Sequence, residues 1–105
     1  MNNSLTRLEA TIAARRGADP ATSYVAKLSA AGRAKIAQKV GEEAVETVIA
    51  AMAGDPAKLT SEAADLMFHL LSLLADGGIT LADVAAELDR REGVSGLTEK
   101  AARGE

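Results

Sequence analysis

Two pairs of acidic residues with the same spacing are the part of the sequence best suited to chemistry. Glu43 and Glu46 form the first pair, and Glu62 and Asp65 form the second. Residues three apart lie on one face of an α-helix, so each pair presents its carboxylates together. If the two helices are neighbours, four carboxylates converge, and their mutual repulsion is too costly to keep unless cations neutralise it. The spacing therefore predicts a cation site.

The available ligand atoms indicate a hard metal ion. The chain has no cysteine and only one histidine, so nearly all of its candidate ligand atoms are oxygens. Mg²⁺ prefers such ligands, and Mn²⁺ can substitute for it. Mg²⁺ also tends to bridge a few carboxylates to phosphate oxygens. The acidic pairs thus indicate a site for phosphate chemistry.

Alternative interpretations of these residues stay open. Acidic residues three apart are commonly only a solvated helix face, which is the ordinary explanation for Glu43 and Glu46 taken alone. That explanation fits Glu62 and Asp65 less well, because apolar residues flank them on most sides. A di-iron site requires a Glu-x-x-His motif on each of two helices, and the single histidine, His69, lies four residues after Asp65. His69 is either a hydrogen-bonded core residue or a substrate contact.

Five helices separated by stop signals are expected to position the acidic pairs. Hydrophobic residues make up 48% of the chain and aromatic residues only 2%, a composition typical of helical proteins. Thr6 with Glu9, and Thr80 with Asp83, match capping boxes, and Asp55 matches an N-cap. The expected helices cover roughly residues 6–16, 23–31, 33–53, 56–76 and 81–92, followed by a polar tail over residues 93–105 without periodicity.

The short links at residues 54–55 and 77–79 favour antiparallel packing of neighbouring helices. We therefore expect an all-α fold, a single domain over residues 1–105 built from antiparallel helical hairpins. The helix over residues 56–76 is apolar around most of its circumference, which is more than one partner hairpin can cover. The expected assembly is a homodimer with a four-helix-bundle core.

Charge and hydropathy argue against several classes of function. The net charge of −3 opposes non-specific binding to nucleic acid, so no nucleic-acid partner is expected. No apolar run approaches the roughly 20 residues that span a bilayer, so no membrane association is expected. The lack of cysteine suits a reducing compartment, and a cytoplasmic location is expected.

The segments around the acidic pairs resemble a known family. Glu43-x-x-Glu46, fifteen intervening residues, and Glu62-x-x-Asp65 together are similar to the signature of the all-alpha nucleoside triphosphate pyrophosphatase superfamily. The flanking segments resemble the phosphoribosyl-ATP pyrophosphatase family in particular, over residues 23–28, 39–46, 62–66, 69–71 and 95–103. The likeness runs through nearly the whole chain from about Leu5.

This resemblance implies hydrolysis of the α–β phosphoanhydride of phosphoribosyl-ATP to phosphoribosyl-AMP and pyrophosphate, the second step of histidine biosynthesis. We assign Mg²⁺ or Mn²⁺ to Glu43, Glu46, Glu62 and Asp65, and Glu42 to orienting or deprotonating the attacking water. Contacts with the nucleotide substrate are expected from Ser23, Tyr24, Lys27, Lys39, His69, Lys100 and Arg103.

Two rival functions share these sequence features. The first is a house-cleaning pyrophosphatase of the same superfamily, acting on deoxynucleoside or damaged nucleoside triphosphates, which would use the same carboxylates. The second is a non-catalytic helical interaction module whose carboxylates are merely solvated. The segments over residues 23–28 and 95–103 favour the phosphoribosyl-ATP enzyme over the first rival, and the absence of stabilisation by Mg²⁺ would favour the second.

Overall fold

The computed structural model describes residues 3–93 and 96–104. This part of the chain forms six helices and contains no strand, so the all-α prediction is confirmed. The helices are α1 (Ser4–Arg15), α2 (Tyr24–Ala31), α3 (Arg33–Ala53), α4 (Pro56–Asp76), α5 (Leu81–Arg91) and α6 (Gly96–Arg103). Among the described residues, no individual helix has the length and apolarity to cross a bilayer, although α4 and α5 pass that test as a pair bent by 102°.

The hairpin of α3 and α4 is the centre of the fold. Both helices are 21 residues long, and they share the most extensive contact between any two helices of the described chain. Gly54 ends α3 in the left-handed conformation, with φ of 74°, which glycine adopts without steric cost. The Asp55 side chain then caps α4 by accepting hydrogen bonds from the backbone N–H groups of Ala57 and Lys58. The predicted bounds of both helices are confirmed.

A small apolar core holds α1 and α2 against the hairpin. Ile12 of α1, Val25 of α2 and Leu71 of α4 are buried and form one cluster. Partly buried apolar residues surround it, including Phe68 and Leu74. Because side chains of α2 reach this cluster, α2 lies beside the middle of α4, where the site residues are found.

The predicted capping box at the start of α1 is wrong. The helix begins at Ser4, two residues before Thr6, and its N-cap makes no side-chain hydrogen bond. The Glu9 carboxylate instead accepts a 2.6 Å hydrogen bond from the backbone N–H of Leu81, in the first turn of α5. The Glu9 carboxylate therefore bonds to the start of another helix and not to the N-terminus of its own. The local sequence cannot show this partner, because it is distant along the chain.

The C-terminal region is partly as expected and partly different. The capping box of α5 is confirmed, because the Thr80 hydroxyl accepts from the Asp83 N–H and the Asp83 carboxylate accepts from the Thr80 N–H. The tail over residues 93–105, in contrast, contains the helix Gly96–Arg103, for which the sequence analysis predicted no element. Its eight residues are rich in good helix formers, but the segment is too short to show periodicity. Val94, Ser95 and Glu105 lie outside the described residues.

An apolar face is left open on the α3–α4 hairpin. Val45, Val48, Ile49 and Met52 of α3 are 54–83% exposed, and Met67 of α4 is 48% exposed. Helical residues at spacings of three, four and seven share one side of a helix, so the α3 residues form a continuous surface. We call Val45, Val48, Ile49 and Met52 the α3 apolar face.

An ion cluster at the C-terminal end of α4 connects three helices. The Asp76 carboxylate accepts from Arg33 Nε at 2.7 Å and from Arg16 Nη2 at 3.1 Å, and Arg33 Nη2 donates to the Asp76 carbonyl oxygen at 3.0 Å. The hydrogen bond from Arg33, followed by the charges of both arginines, holds the pKa of Asp76 below its ordinary value of 3.8. Asp76 therefore ties α1 and α3 to α4.

This cluster predicts a specific dependence of stability on pH. A carboxyl group with a lowered pKa in the folded state stabilises the fold above its ordinary pKa, and this contribution disappears as pH falls through the folded value. We expect Asp76→Asn to lower the free energy of unfolding near neutral pH, and the difference from wild type to shrink below about pH 4. Urea denaturation followed by circular dichroism, repeated across this pH range, measures the difference in the free energy of unfolding. A difference that does not change with pH would contradict the assignment.

Candidate active site

The α3–α4 hairpin brings three of the four predicted metal ligands together. One carboxylate oxygen from each of Glu43, Glu62 and Asp65 lies within 4.8 Å of the others. Glu43 and Glu62 are half-buried, and Asp65 is exposed. In the described part of the chain, none of these carboxylates forms a salt bridge with a lysine or arginine. We call Glu43, Glu62 and Asp65 the acidic cluster; it concentrates negative charge that no salt bridge of the described residues neutralises.

The two remaining predicted catalytic carboxylates lie outside the acidic cluster. Glu46 is exposed on α3, one turn after Glu43, and is not among the grouped oxygens. The Glu42 carboxylate accepts from the Gln38 amide at 2.8 Å and from Lys39 Nζ at 3.4 Å. The Gln38 hydrogen bond, and then that from Lys39, lowers the pKa of Glu42. The roles of both carboxylates stay predictions.

His69 lies between α2 and the acidic cluster. Its side chain is 6% exposed, and Nδ1 is 2.7 Å from the Asp65 carbonyl oxygen while Nε2 is 3.0 Å from the Tyr24 hydroxyl. A carbonyl oxygen only accepts, so Nδ1 carries the proton, and in the neutral ring Nε2 accepts from the Tyr24 O–H. His69 therefore occupies the position of a hydrogen-bonded core residue, and its substrate contact stays a prediction. The Tyr24–His69–Asp65 chain fixes α2 beside the second acidic pair.

The predicted substrate residues of α2 fall into two kinds. The Ser23 hydroxyl is the N-cap of α2 and accepts from the Ala26 N–H at 3.2 Å, so it has a structural task. Lys27, in contrast, lines a cleft of about 290 Å³ between α2 and α3. The cleft is lined by Tyr24, Lys27, Leu28, Ala31, Lys35 and Lys39, and we call it the lysine cleft.

The sequence analysis missed Lys35. The available signal was its position four residues before Lys39, which places both lysines on one face of α3. The predicted site residues Lys27 and Lys39 converge on the same cleft. Lys39 also has a raised pKa, owing first to its hydrogen bond with Glu42, so it stays protonated near neutral pH.

The predicted substrate residues of the tail are not brought to this cleft. Lys100 and Arg103 lie in the last turn of α6 and do not line the lysine cleft. Within the described chain, α6 makes no extensive contact with another helix. Their contact with substrate stays a prediction.

A larger cavity, of about 480 Å³, lies between α1 and the junction of α4 and α5. Its two charged residues are already engaged, Glu9 by the Leu81 N–H and Arg16 by Asp76. The rest of its lining is mainly apolar and uncharged, including Ala10, Ala13 and Ile79. A cavity of this kind does not suit a phosphate ligand, so the candidate site is the acidic cluster with the lysine cleft.

The chain is similar to known proteins over nearly its whole length. The family model described as phosphoribosyl-ATP pyrophosphohydrolase matches residues 5–92. A phosphoribosyl-ATP pyrophosphatase of Rhizorhabdus wittichii is 71% identical over 103 residues, which cover 98% of this chain and 97% of the relative. The relative of the same name from Erythrobacter litoralis is 65% identical, with coverage of 98% and 99%. That from Dinoroseobacter shibae is 64% identical, with coverage of 94% and 97%.

Proposed function

Because this chain belongs to the phosphoribosyl-ATP pyrophosphohydrolase family, we propose that it hydrolyses the α–β phosphoanhydride of phosphoribosyl-ATP. The products are phosphoribosyl-AMP and pyrophosphate, and the reaction belongs to histidine biosynthesis. The observation that carries the proposal is the acidic cluster, in which carboxylates from two helices meet and, among the described residues, form no salt bridge with a lysine or arginine. Phosphate chemistry explains this arrangement, because the divalent metal ion that accompanies a phosphate substrate brings positive charge to the carboxylates.

We propose Mg²⁺ as the metal, with Mn²⁺ as a substitute. The donor set fits, because the grouped atoms are carboxylate oxygens, and Mg²⁺ binds through one or two carboxylates while keeping several waters. Glu43, Glu62 and Asp65 would hold the metal, and Glu46, on the adjoining turn of α3, is the fourth proposed ligand. When bound, the metal neutralises charge on the phosphates and lowers the pKa of a water molecule.

Glu42 is the proposed residue for handling the attacking water. Hydrogen bonds from Gln38 and Lys39 fix the direction of its carboxylate and keep it ionised. We propose that a carboxylate held in this way orients or deprotonates the attacking water.

We propose substrate contacts from residues of α2, α3, α4 and α6. Lys27 and Lys39 supply positive charge in the lysine cleft, and Tyr24 supplies an exposed ring at the same place. Ser23 and His69 position these groups through the cap of α2 and the bond to Tyr24. Lys100 and Arg103 of α6 are proposed to reach the phosphoribosyl end of the substrate, from the same subunit or its partner.

We propose a cytoplasmic homodimer of single-domain chains, with a second copy covering the α3 apolar face. Exposed apolar surface of this extent is commonly an interaction site, and a hairpin of two helices pairing with its copy makes a four-helix core. The α3 apolar face lies on the central hairpin that also carries the acidic cluster, so dimer formation would leave α3 and α4 more rigidly placed.

Pyrophosphate release from a panel of nucleotides tests the proposed function. With Mg²⁺ present, we expect kcat/KM for phosphoribosyl-ATP to exceed that for ATP, dUTP and other nucleoside triphosphates by about a hundredfold or more. Faster hydrolysis of dUTP or damaged nucleotides would favour the house-cleaning pyrophosphatase. Turnover of no nucleotide, together with no stabilisation by Mg²⁺, would favour a non-catalytic interaction module.

A further inference from the structure

The lysine cleft contains more positive charge than its own surroundings neutralise. Lys27, Lys35 and Lys39 line it together. Lys39 is paired with Glu42 at 3.4 Å. Within residues 3–93 and 96–104, neither Lys27 nor Lys35 forms a salt bridge. Glu42, which pairs with Lys39 and interacts with Lys35 at longer range, is one carboxylate against three ammonium groups around one concave surface. The excess of positive charge makes a binding site for an anionic group.

The lysines of the cleft and Glu43 of the acidic cluster share one face of α3. Lys35, Lys39 and Glu43 follow one another at intervals of four residues, so they lie on one face of the helix. At a rise of 1.5 Å per residue, Lys39 lies about 6 Å and Lys35 about 12 Å from Glu43 along the helix axis. The other wall of the cleft is joined to the cluster by the bonds of Tyr24 to His69 and of His69 to Asp65.

The lysine cleft is also partly apolar. Tyr24 is 47% exposed and stacks on Phe68 with a ring separation of 5.8 Å, which holds the ring in place. Leu28 and Ala31 line the same cleft. The acidic cluster thus offers a place for metal-bound phosphates, and the lysine cleft offers ammonium groups beside an aromatic ring and aliphatic side chains. A ligand that matches them has negative charge at both ends and a flat, less polar middle.

Given the proposed function, on which this step rests, phosphoribosyl-ATP has that form. Its triphosphate is at one end, its adenine lies between two riboses, and a phosphate monoester is at the far end. We propose that Lys35, with Lys27, binds the 5′-phosphate of the phosphoribosyl group and so selects phosphoribosyl-ATP over nucleotides that lack it. The β- and γ-phosphates leave together as pyrophosphate and lie beside the metal site, so Lys39, one turn from Glu43, is the lysine placed for them.

Kinetics of Lys35→Gln test this assignment once wild-type turnover of phosphoribosyl-ATP has been measured. Loss of a bond to a remote phosphate removes ground-state and transition-state binding alike, so KM rises while kcat changes little. We expect KM to rise about tenfold, the effect of one charge-assisted hydrogen bond, with kcat within about twofold. Arg15→Gln, which removes an exposed charge from α1 outside the cleft, is the matched control and should leave KM unchanged.

Product inhibition distinguishes the two ends of the substrate. In wild type, phosphoribosyl-AMP should inhibit more strongly than AMP, and Lys35→Gln should reduce that preference about tenfold while leaving inhibition by pyrophosphate unchanged. Lys35→Arg, which keeps the charge, should retain most of the preference. The proposal is overturned if wild type does not prefer phosphoribosyl-AMP, if Lys35→Gln weakens only pyrophosphate inhibition, or if neither KM nor any inhibition constant changes. A wild type inactive on phosphoribosyl-ATP would instead refute the proposed function.

Discussion

Replacing Asp65 with asparagine is expected to lower kcat/KM for phosphoribosyl-ATP about a thousandfold at saturating Mg²⁺, because loss of one group acting on transition-state charge commonly costs about 3–4 kcal/mol. The substitution keeps the shape of the side chain and removes only its charge. The backbone carbonyl of Asp65, which accepts from His69, is untouched. Glu62→Gln on the same helix should lower kcat/KM to a similar extent, because the Glu62 carboxylate also belongs to the acidic cluster.

The fold of the Asp65→Asn variant should survive. Asp65 is exposed, and its carboxylate makes no salt bridge in the described part of the chain. Removing one of several like charges relieves repulsion, so the melting temperature without metal should equal or exceed that of wild type. Added Mg²⁺ should raise the melting temperature of wild type and have little effect on the variant. These two readouts separate loss of metal binding from loss of structure.

Matched controls come from acidic and basic residues outside the acidic cluster. Asp89→Asn makes the same chemical change at an exposed position on α5 and should leave both turnover and the Mg²⁺ response intact. Lys58→Gln, one turn before Glu62, should have a much smaller effect than Glu62→Gln. Full turnover by Asp65→Asn or Glu62→Gln in saturating Mg²⁺ would show that the metal-ligand assignment is wrong.

Val48→Asp is expected to convert the proposed homodimer into monomers. Val48 is 61% exposed and lies in the middle of the α3 apolar face, so the change costs the isolated chain little. In a dimer the same position is buried, and an unpaired carboxylate buried there is strongly unfavourable. Light scattering coupled to size-exclusion chromatography, at micromolar concentration, should give twice the chain mass of 10.8 kDa for wild type. The variant should have the mass of a single chain.

A second aspartate substitution controls for general effects of added charge. Leu5→Asp changes an exposed apolar residue of α1, 42% exposed, outside the α3 apolar face, and should leave the dimer intact. A wild-type protein of about 10.8 kDa under these conditions would contradict the proposed assembly. A Val48→Asp variant that stayed dimeric would place the interface on another surface.

Most of the helix bounds were predictable because the signals that set them are local. Gly54 and Asp55 end α3 and begin α4 through their own backbone conformation and side-chain hydrogen bonds. The box of Thr80 and Asp83 likewise lies within one turn. Such contacts join residues no more than four apart, so their partners can be identified without knowledge of the fold.

The acidic cluster was only partly predictable. The spacing of Glu62 and Asp65 placed them on one helix face, and the short link to α3 made Glu43 their neighbour. That Glu43 meets them while Glu46 stays outside the group depends on the rotation and register of α3 against α4. Packing of many side chains sets that register, and no single pair of residues encodes it.

The sequence by itself determined the helical class, the principal hairpin and the stripe of carboxylates, because periodicity and caps act within a few residues. Three pairings were decided only by the tertiary structure. Glu9 bonds to the start of α5, His69 bonds to Tyr24, and Lys35 lines the same cleft as Lys27. Each of these pairings joins different helices. Their partners are decided by how apolar surfaces pack, a property of the whole chain that neighbouring residues do not specify.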